Sequence, residues 1–252
     1  MQEGSLIPRF GAARRDRSLA VLEGFHPLKH ALRFGANVLE VVSCDVEQLD
    51  RLAAQLAPDQ VARIHELARP VQPEVFTQLA PLPPTTGVIA LAERPAIDAA
   101  AVLAGREHRG PIVLLEDPRD LGNMGACVRV SAAADAAGVL TTGSHDPWAP
   151  DALRGAAGLH YALPVARLEQ LDALDVDERR PLLALDPDGE PLQPDQLPTD
   201  AVLAFGTERY GLSDQLLAHA DARISIPMRA GVSSLNLATS VAAVLFAWRL
   251  AR

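Results

Sequence analysis

Three short polar stretches hold the residues whose types and spacing could do chemistry. LEDPRDLGNMGACVR (115–129) leaves an apolar run, passes Gly122-Asn123-Met124-Gly125 and enters a helical pattern bearing Arg129. FGTERYGLSD (205–214) places Glu208 between glycines, and IPMRAGVSSLNLATSVA (226–242) runs into a helix opened by Ser233, Ser234 and Asn236. Glycines between a strand and a helix let a phosphate or nucleotide approach the backbone closely. A dinucleotide fold is nevertheless a poor match. The G-x-G-x-x-G pattern is broken by asparagine and methionine, and the next strand ends in Thr142-Gly143-Ser144 with no acidic residue for a ribose. No G-K-[ST] is present, which excludes a Walker loop.

The elements that must position these stretches divide the 252 residues into two styles. In the first third, short β-like runs (LAVLEG, 19–24; VLEVVS, 38–43; GVIALAE, 87–93) flank helical patterns such as VEQLDRLAAQLA (46–57), as in a small α/β domain. The stretch 94–110, with Pro95 and GREHRGP, reads as a linker. Beyond it the strands become continuous apolar runs: IVLLE (112–116), GVLTTG (138–143), PLLALD (181–186) and AVLAFG (201–206). Such runs fit parallel strands covered on both faces, and helical patterns at 125–137 and 234–252 complete a doubly wound α/β sheet. Ligands of such sheets bind at the carboxyl ends of the strands, so the loops after Glu116, Gly143 and Gly206 are the informative ones. The Pro- and Asp-rich segment 185–200 reads as a surface excursion.

Composition narrows the partners. A net charge of -9 counts against a broad electrostatic grip on nucleic acid, so any such affinity rests on few phosphate contacts. Arg9, Arg14, Arg15 and Arg17 crowd the N-terminus, as a solvated arm or an RNA-contacting one. Cys44 and Cys127 lie too far apart for CxxC spacing and the histidines are scattered, so no metal is expected. The sequence has no eighteen-residue apolar stretch and no signal-like leader, and a cytoplasmic location is expected. The terminal helix carries Val241, Val244, Leu245 and Trp248 as an apolar face wide enough to help bury a dimer partner.

Taken together, the three polar stretches resemble the three motifs of the SpoU (TrmH-like) branch of the SPOUT RNA 2'-O-ribose methyltransferases, approximately N-x-G-A-x-x-R, G-x-E-x-x-G-L and S-L-N. The likeness covers residues 110–252. It implies S-adenosylmethionine as methyl donor, RNA as partner (ribosomal rather than transfer RNA), a C-terminal trefoil knot within a knotted parallel sheet over 111–252, and a homodimer. It also implies catalytic roles for Asn123, Arg129, Glu208, Ser234 and Asn236. Cofactor binding falls on Thr142, Gly143, Phe205, Gly206, Ile226, Met228 and Leu235, with Gly143 and Gly206 kept small for the ligand's close approach. Ser234 is equally suited to capping the last helix. Residues 1–94 resemble, less specifically, an L30e-like RNA-binding domain, followed by a linker over 95–110. A non-catalytic RNA-binding protein that keeps the fold remains the alternative, as does a transfer-RNA enzyme.

Overall fold

The computed structural model describes residues 3–105, 108–174, 180–207 and 211–252. In chain order its elements are α1 (Leu6–Ala13), β1 (Leu19–Glu23), α2 (Phe25–Arg33), β2 (Val38–Ser43), α3 (Val46–Leu56), α4 (Val61–Leu67), β3 (Ala68–Pro70), α5 (Pro73–Phe76) and β4 (Val88–Glu93). There follow α6 (Ala99–Ala104), β5 (Ile112–Leu115), α7 (Leu121–Ala133), β6 (Gly138–Thr141), α8 (Pro150–Gly155), β7 (Val165–Arg167), β8 (Leu182–Pro191), β9 (Val202–Phe205), α9 (Asp214–His219), β10 (Ala222–Ser225) and α10 (Leu237–Leu250). Among the described residues no helix is long and apolar enough to cross a membrane.

The chain forms two compact units, residues 1–96 with 148–162 and residues 97–147 with 163–252. The first is built on a four-stranded sheet in the order β1-β4-β2-β3. β4 is antiparallel to both β1 and β2, and β3 runs parallel to β2. The N-terminal residues are no free arm. Leu6, Phe10 and Ala13 recur at helical spacing and bury one face of α1 in the core with Val21, Phe76 and Leu91. Two of the four arginines are taken up by nearly buried carboxylates: Arg9 pairs with Glu40 at 3.1 Å and Arg14 with Glu23 at 2.6 Å. Arg15 and Arg17 stay exposed.

Glu23 is the most demanding group in this unit. It is 3% exposed at the end of β1, and Arg154 of α8 supplies a second cation to its other oxygen. Burying a carboxylate is tolerable only when it is paired and hydrogen-bonded in this way. Residues 148–162 thus pack with the first unit, although the sequence reading runs the second domain without interruption from 111. Trp148 is buried against the rings of His160 and Tyr161, beneath the Arg94 guanidinium, and His30 Nδ1 lies 2.7 Å from the Ala157 carbonyl oxygen.

The second unit is a six-stranded, all-parallel sheet in the order β10-β8-β9-β5-β6-β7. The apolar runs of β5, β6 and β9 are buried along their whole length, as strands covered on both faces must be. From β5 the chain proceeds outward to β6 and β7, then returns on the other side to β8 and β9. That reversal opens a crevice at the carboxyl ends of β5 and β9. The segment read as a linker carries α6, whose Leu103 is buried in this unit's core with Ile112 and Leu216. Arg180 fastens α6 in place. Its guanidinium is buried and donates to the carbonyls of Leu103, Gly105, Gly110 and Asp200 at 2.5–3.3 Å.

Candidate active site

The site is built on two helix N-termini at the crevice. α7 begins at Leu121, not at Gly125 as the glycine-rich pattern suggests, because Asp120 caps it: its Oδ1 accepts from the Asn123 N–H at 2.7 Å. Asn123 is therefore on the first helical turn. α10 begins at Leu237 with Asn236, not Ser234, as its cap. Asn236 Oδ1 accepts from the N–H groups of Ala238 (3.0 Å) and Thr239 (3.3 Å). Two donors on Oδ1 fix which way the amide faces. Its Nδ2 then points at Asn123 and donates to the Oδ1 at 3.1 Å, joining the first and third polar stretches.

The second stretch is held from the end of β5. Glu116 donates its N–H to Phe205 O at 2.9 Å, and its two carboxylate oxygens accept from the N–H (2.7 Å) and hydroxyl (2.5 Å) of Ser213. Ser213 in turn caps α9, accepting from the Leu216 N–H. The loop between closes on itself through paired backbone bonds between Thr207 and Gly211. Gly206 is glycine for that closure: a Cβ there would sit 2.0 Å from the Gly211 carbonyl carbon. The close approach is by the chain's own backbone, where the sequence reading invoked a ligand. Glu208 lies outside the described residues.

Gly143 has a similar explanation. With φ at +81° it takes a backbone conformation that favours glycine, and its Cβ would fall 2.2 Å from Asp117 Oδ1. Asp117, itself at a φ of +41°, donates its N–H to Thr142 Oγ1 at 3.0 Å. Thr142 and Gly143 therefore grip the turn that leads from β5 into α7, and neither lines the pocket described next.

That pocket, about 340 Å³, lies beside the middle of β8 and the carboxyl ends of β9 and β10. It is lined by five of the seven residues expected to bind the cofactor, namely Phe205, Gly206, Ile226, Met228 and Leu235, and by Ser234. Asn236 sits between the lining residues Leu235 and Leu237. Arg129 is exposed on α7, and no ion pair or hydrogen bond joins it to another side chain among the described residues. The site also uses residues the sequence reading missed: Glu116, Asp117 and, in the pocket wall, Leu185, Asp186 and Pro187. The last three come from a segment read as a surface excursion, of which Glu190 and Pro191 return to pair in the sheet. β8 extends to Pro191, pairing with β10 at Leu183 and Ala184 and again at Glu190 and Pro191. Glu116 was within reach, as the first polar residue beyond an apolar parallel strand.

Two features fit an adenosine-bearing donor. The volume falls within the range of roughly 300–1,000 Å³ usual for small-molecule sites. The walls combine apolar side chains, apt for the faces of a base, with hydroxyls such as Thr207 and Ser240. The wide apolar face expected to meet a partner is used internally, since α10 packs on α7 and buries Val241, Val244, Leu245 and Trp248. The large apolar residues that α10 leaves exposed are Phe246 (38%) and Leu250 (84%).

Comparison with known proteins gives concordant matches. The family model described as the SpoU rRNA Methylase family matches residues 110–246. A 23S rRNA (adenosine(1067)-2'-O)-methyltransferase from Streptomyces azureus is 28% identical over 245 residues, covering 92% of this chain and 87% of that protein. A 23S rRNA (uridine(2479)-2'-O)-methyltransferase from Streptomyces viridochromogenes is 28% identical over 236 residues, covering 88% and 79%. In fold, the crystal structure of the SpoU methyltransferase AviRb from Streptomyces viridochromogenes, in complex with AdoMet, superposes with a TM-score of 0.77 at 21% identity, covering 97% of this chain and 96% of that one.

Proposed function

Because this chain belongs to the SpoU rRNA Methylase family, we propose that it transfers a methyl group from S-adenosylmethionine to a ribose 2'-hydroxyl of RNA, specifically ribosomal RNA. The observation that carries the reading is the Asn236–Asn123 hydrogen bond, which ties the first motif to the third beside a pocket of nucleoside size. S-adenosylmethionine supplies a methyl group already activated on a sulfonium. The protein's task is to hold the two reactants in line and help the hydroxyl lose its proton.

Phe205, Ile226, Met228 and Leu235 enclose the donor, with backbone at Gly206. Thr142 and Gly143 act one step removed, by holding Asp117 and the entrance to α7. Asn123 and Asn236 fix the acceptor side, and Ser234 lies within reach of either reactant. Glu208 is assigned to orienting Asn123 or Arg129, on motif position alone. Arg129 cannot serve as a base, because a guanidinium stays protonated. Its exposed side chain clamps a substrate phosphate and stabilises the alkoxide as it develops, while phosphate or water takes the proton.

The first unit is assigned to RNA recognition on its L30e-like sequence, with Arg15 and Arg17 exposed at the end of α1. Phe246 and Leu250, four residues apart on α10, support a homodimer. A knotted C-terminus and a cytoplasmic location follow from the same reading. The deciding experiment is calorimetry with S-adenosylmethionine, S-adenosylhomocysteine and NADH, followed by transfer of labelled methyl to ribosomal RNA and detection of alkali-resistant 2'-O-methyl linkages. Micromolar binding of the two methionine-derived ligands with ribose labelling supports the reading; labelling confined to bases or to transfer RNA overturns it.

A further inference from the structure

We propose that Asp186 is the anionic contact through which the pocket reads its ligand, accepting hydrogen bonds from the donor groups of the cofactor, its ribose diol or its α-ammonium. The inference rests on the S-adenosylmethionine reading of the pocket. Among the described residues lining that pocket, Asp186 alone carries a charge. Its side chain is 14% exposed, and Leu185, Pro187, Phe205 and Ile224 line the same pocket.

The backbone puts it there by an irregularity. Between Arg223 and Ile224 of β10 the register with β8 jumps from Ala184 to Glu190, so the residues between are pushed out of the ladder. Gly189 lets the excursion return: a Cβ there would stand 2.6 Å from the Arg223 carbonyl carbon. A largely buried carboxylate on such a bulge is unfavourable unless its acceptor capacity is used.

Among the described residues that capacity is only partly used. One oxygen accepts from the Asp188 N–H at 3.0 Å, and the other lies 3.5 Å from Arg223 Nη1. Arg223 is half exposed, and a long pair of that kind contributes little. A carboxylate offers about four lone-pair directions. Because Asp186 lines the pocket, those left over are open to an occupant, and the ammonium and paired ribose hydroxyls of the cofactor are donors that suit an anion.

The test compares the full-length wild type with Asp186→Asn and Arg223→Gln, reading dissociation constants by calorimetry for S-adenosylmethionine, S-adenosylhomocysteine and methylthioadenosine. Asparagine keeps an Oδ1 for the Asp188 N–H, so the bulge is retained, and melting curves verify it. The expected result is S-adenosylhomocysteine bound roughly 10- to 100-fold more weakly by Asp186→Asn, the size of a hydrogen bond to a charged group. Arg223→Gln binds as well as wild type or better. A loss that extends to methylthioadenosine assigns the contact to the ribose diol; a loss limited to the two ligands with an amino-acid moiety assigns it to the ammonium. Binding by Asp186→Asn within twofold of wild type overturns the proposal, as does an equal loss in Arg223→Gln, which would reduce Asp186 to a partner of Arg223. A wild type that binds none of the three overturns the S-adenosylmethionine reading itself, and this assignment with it.

Discussion

The side-chain amide of Asn236 performs two jobs with its two ends, and substitution can separate them. Asn236→Asp keeps the oxygen that caps α10 and removes the donor to Asn123; the melting temperature should stay near wild type while methyl transfer falls about tenfold, the size of one good hydrogen bond. Asn236→Ala removes both and should also lower stability by about 0.5–2 kcal/mol in a denaturant titration. Equal transfer rates for Asn236→Asp and wild type would deprive the bridge of any role. Arg129→Ala tests the other polar residue: its side chain is exposed, so stability should hold within about 0.5 kcal/mol and S-adenosylhomocysteine should still bind, but turnover should vanish. Residue types such as these were legible in the sequence because their chemistry is local. Which of Ser233, Ser234 and Asn236 becomes the cap was not, because it depends on where α10 first meets its neighbours; Leu237 is the first residue of the helix to be buried.

At the scale of elements, the strands were readable and the turns between them were not. Runs such as IVLL and VLAF are buried along their whole length and fall where their pattern puts them. The glycines beside them follow from long-range approach, which no local pattern encodes: Gly206 is set by Gly211 and Gly143 by Asp117. Gly206→Ala should accordingly destabilise the second unit by about 1–3 kcal/mol and abolish S-adenosylhomocysteine binding, measured by urea unfolding and calorimetry. In the first unit α2 carries a pH effect. Partial burial is the main cause that holds the His30 imidazole below its ordinary value of 6.5; neighbouring Lys29, Arg33 and His26 push the same way, and the hydrogen bond to Ala157 opposes them. The unfolded chain then takes up a proton that the folded chain resists. His30 therefore contributes stability above about pH 6.5 and loses it as the pH falls toward its depressed folded value. Melting curves at pH 7.5 and 5.5 should show wild type losing more on acidification than His30→Gln; parallel losses would remove His30 as the cause.

The whole molecule is two units joined at three points of the chain, near residues 96, 147 and 162. Composition and periodicity gave two α/β regions of the right character, but the return of 148–162 to the first is not a local property. It rests on Arg154 meeting Glu23 across 131 residues and on Trp148 meeting His160 and Tyr161. A fragment of residues 1–96 should be less stable than the same fragment carrying 148–162 on a short linker, by on the order of 3 kcal/mol in urea unfolding, because Glu23 keeps only one of its two arginines. Equal stability would show that the returning segment is ornamental. The same ion cluster sets a timetable for biosynthesis. Glu23 is made 131 residues before Arg154, so at about 5–20 residues per second the start of the chain waits roughly 7–26 s on the ribosome for the segment that completes its core. During that interval the nascent N-terminus has all four strands of its sheet but lacks α8, and it carries a half-neutralised acid at the sheet's edge. Chaperone dependence in this protein should therefore fall on the first unit to be translated, and ease once residue 162 has left the exit tunnel.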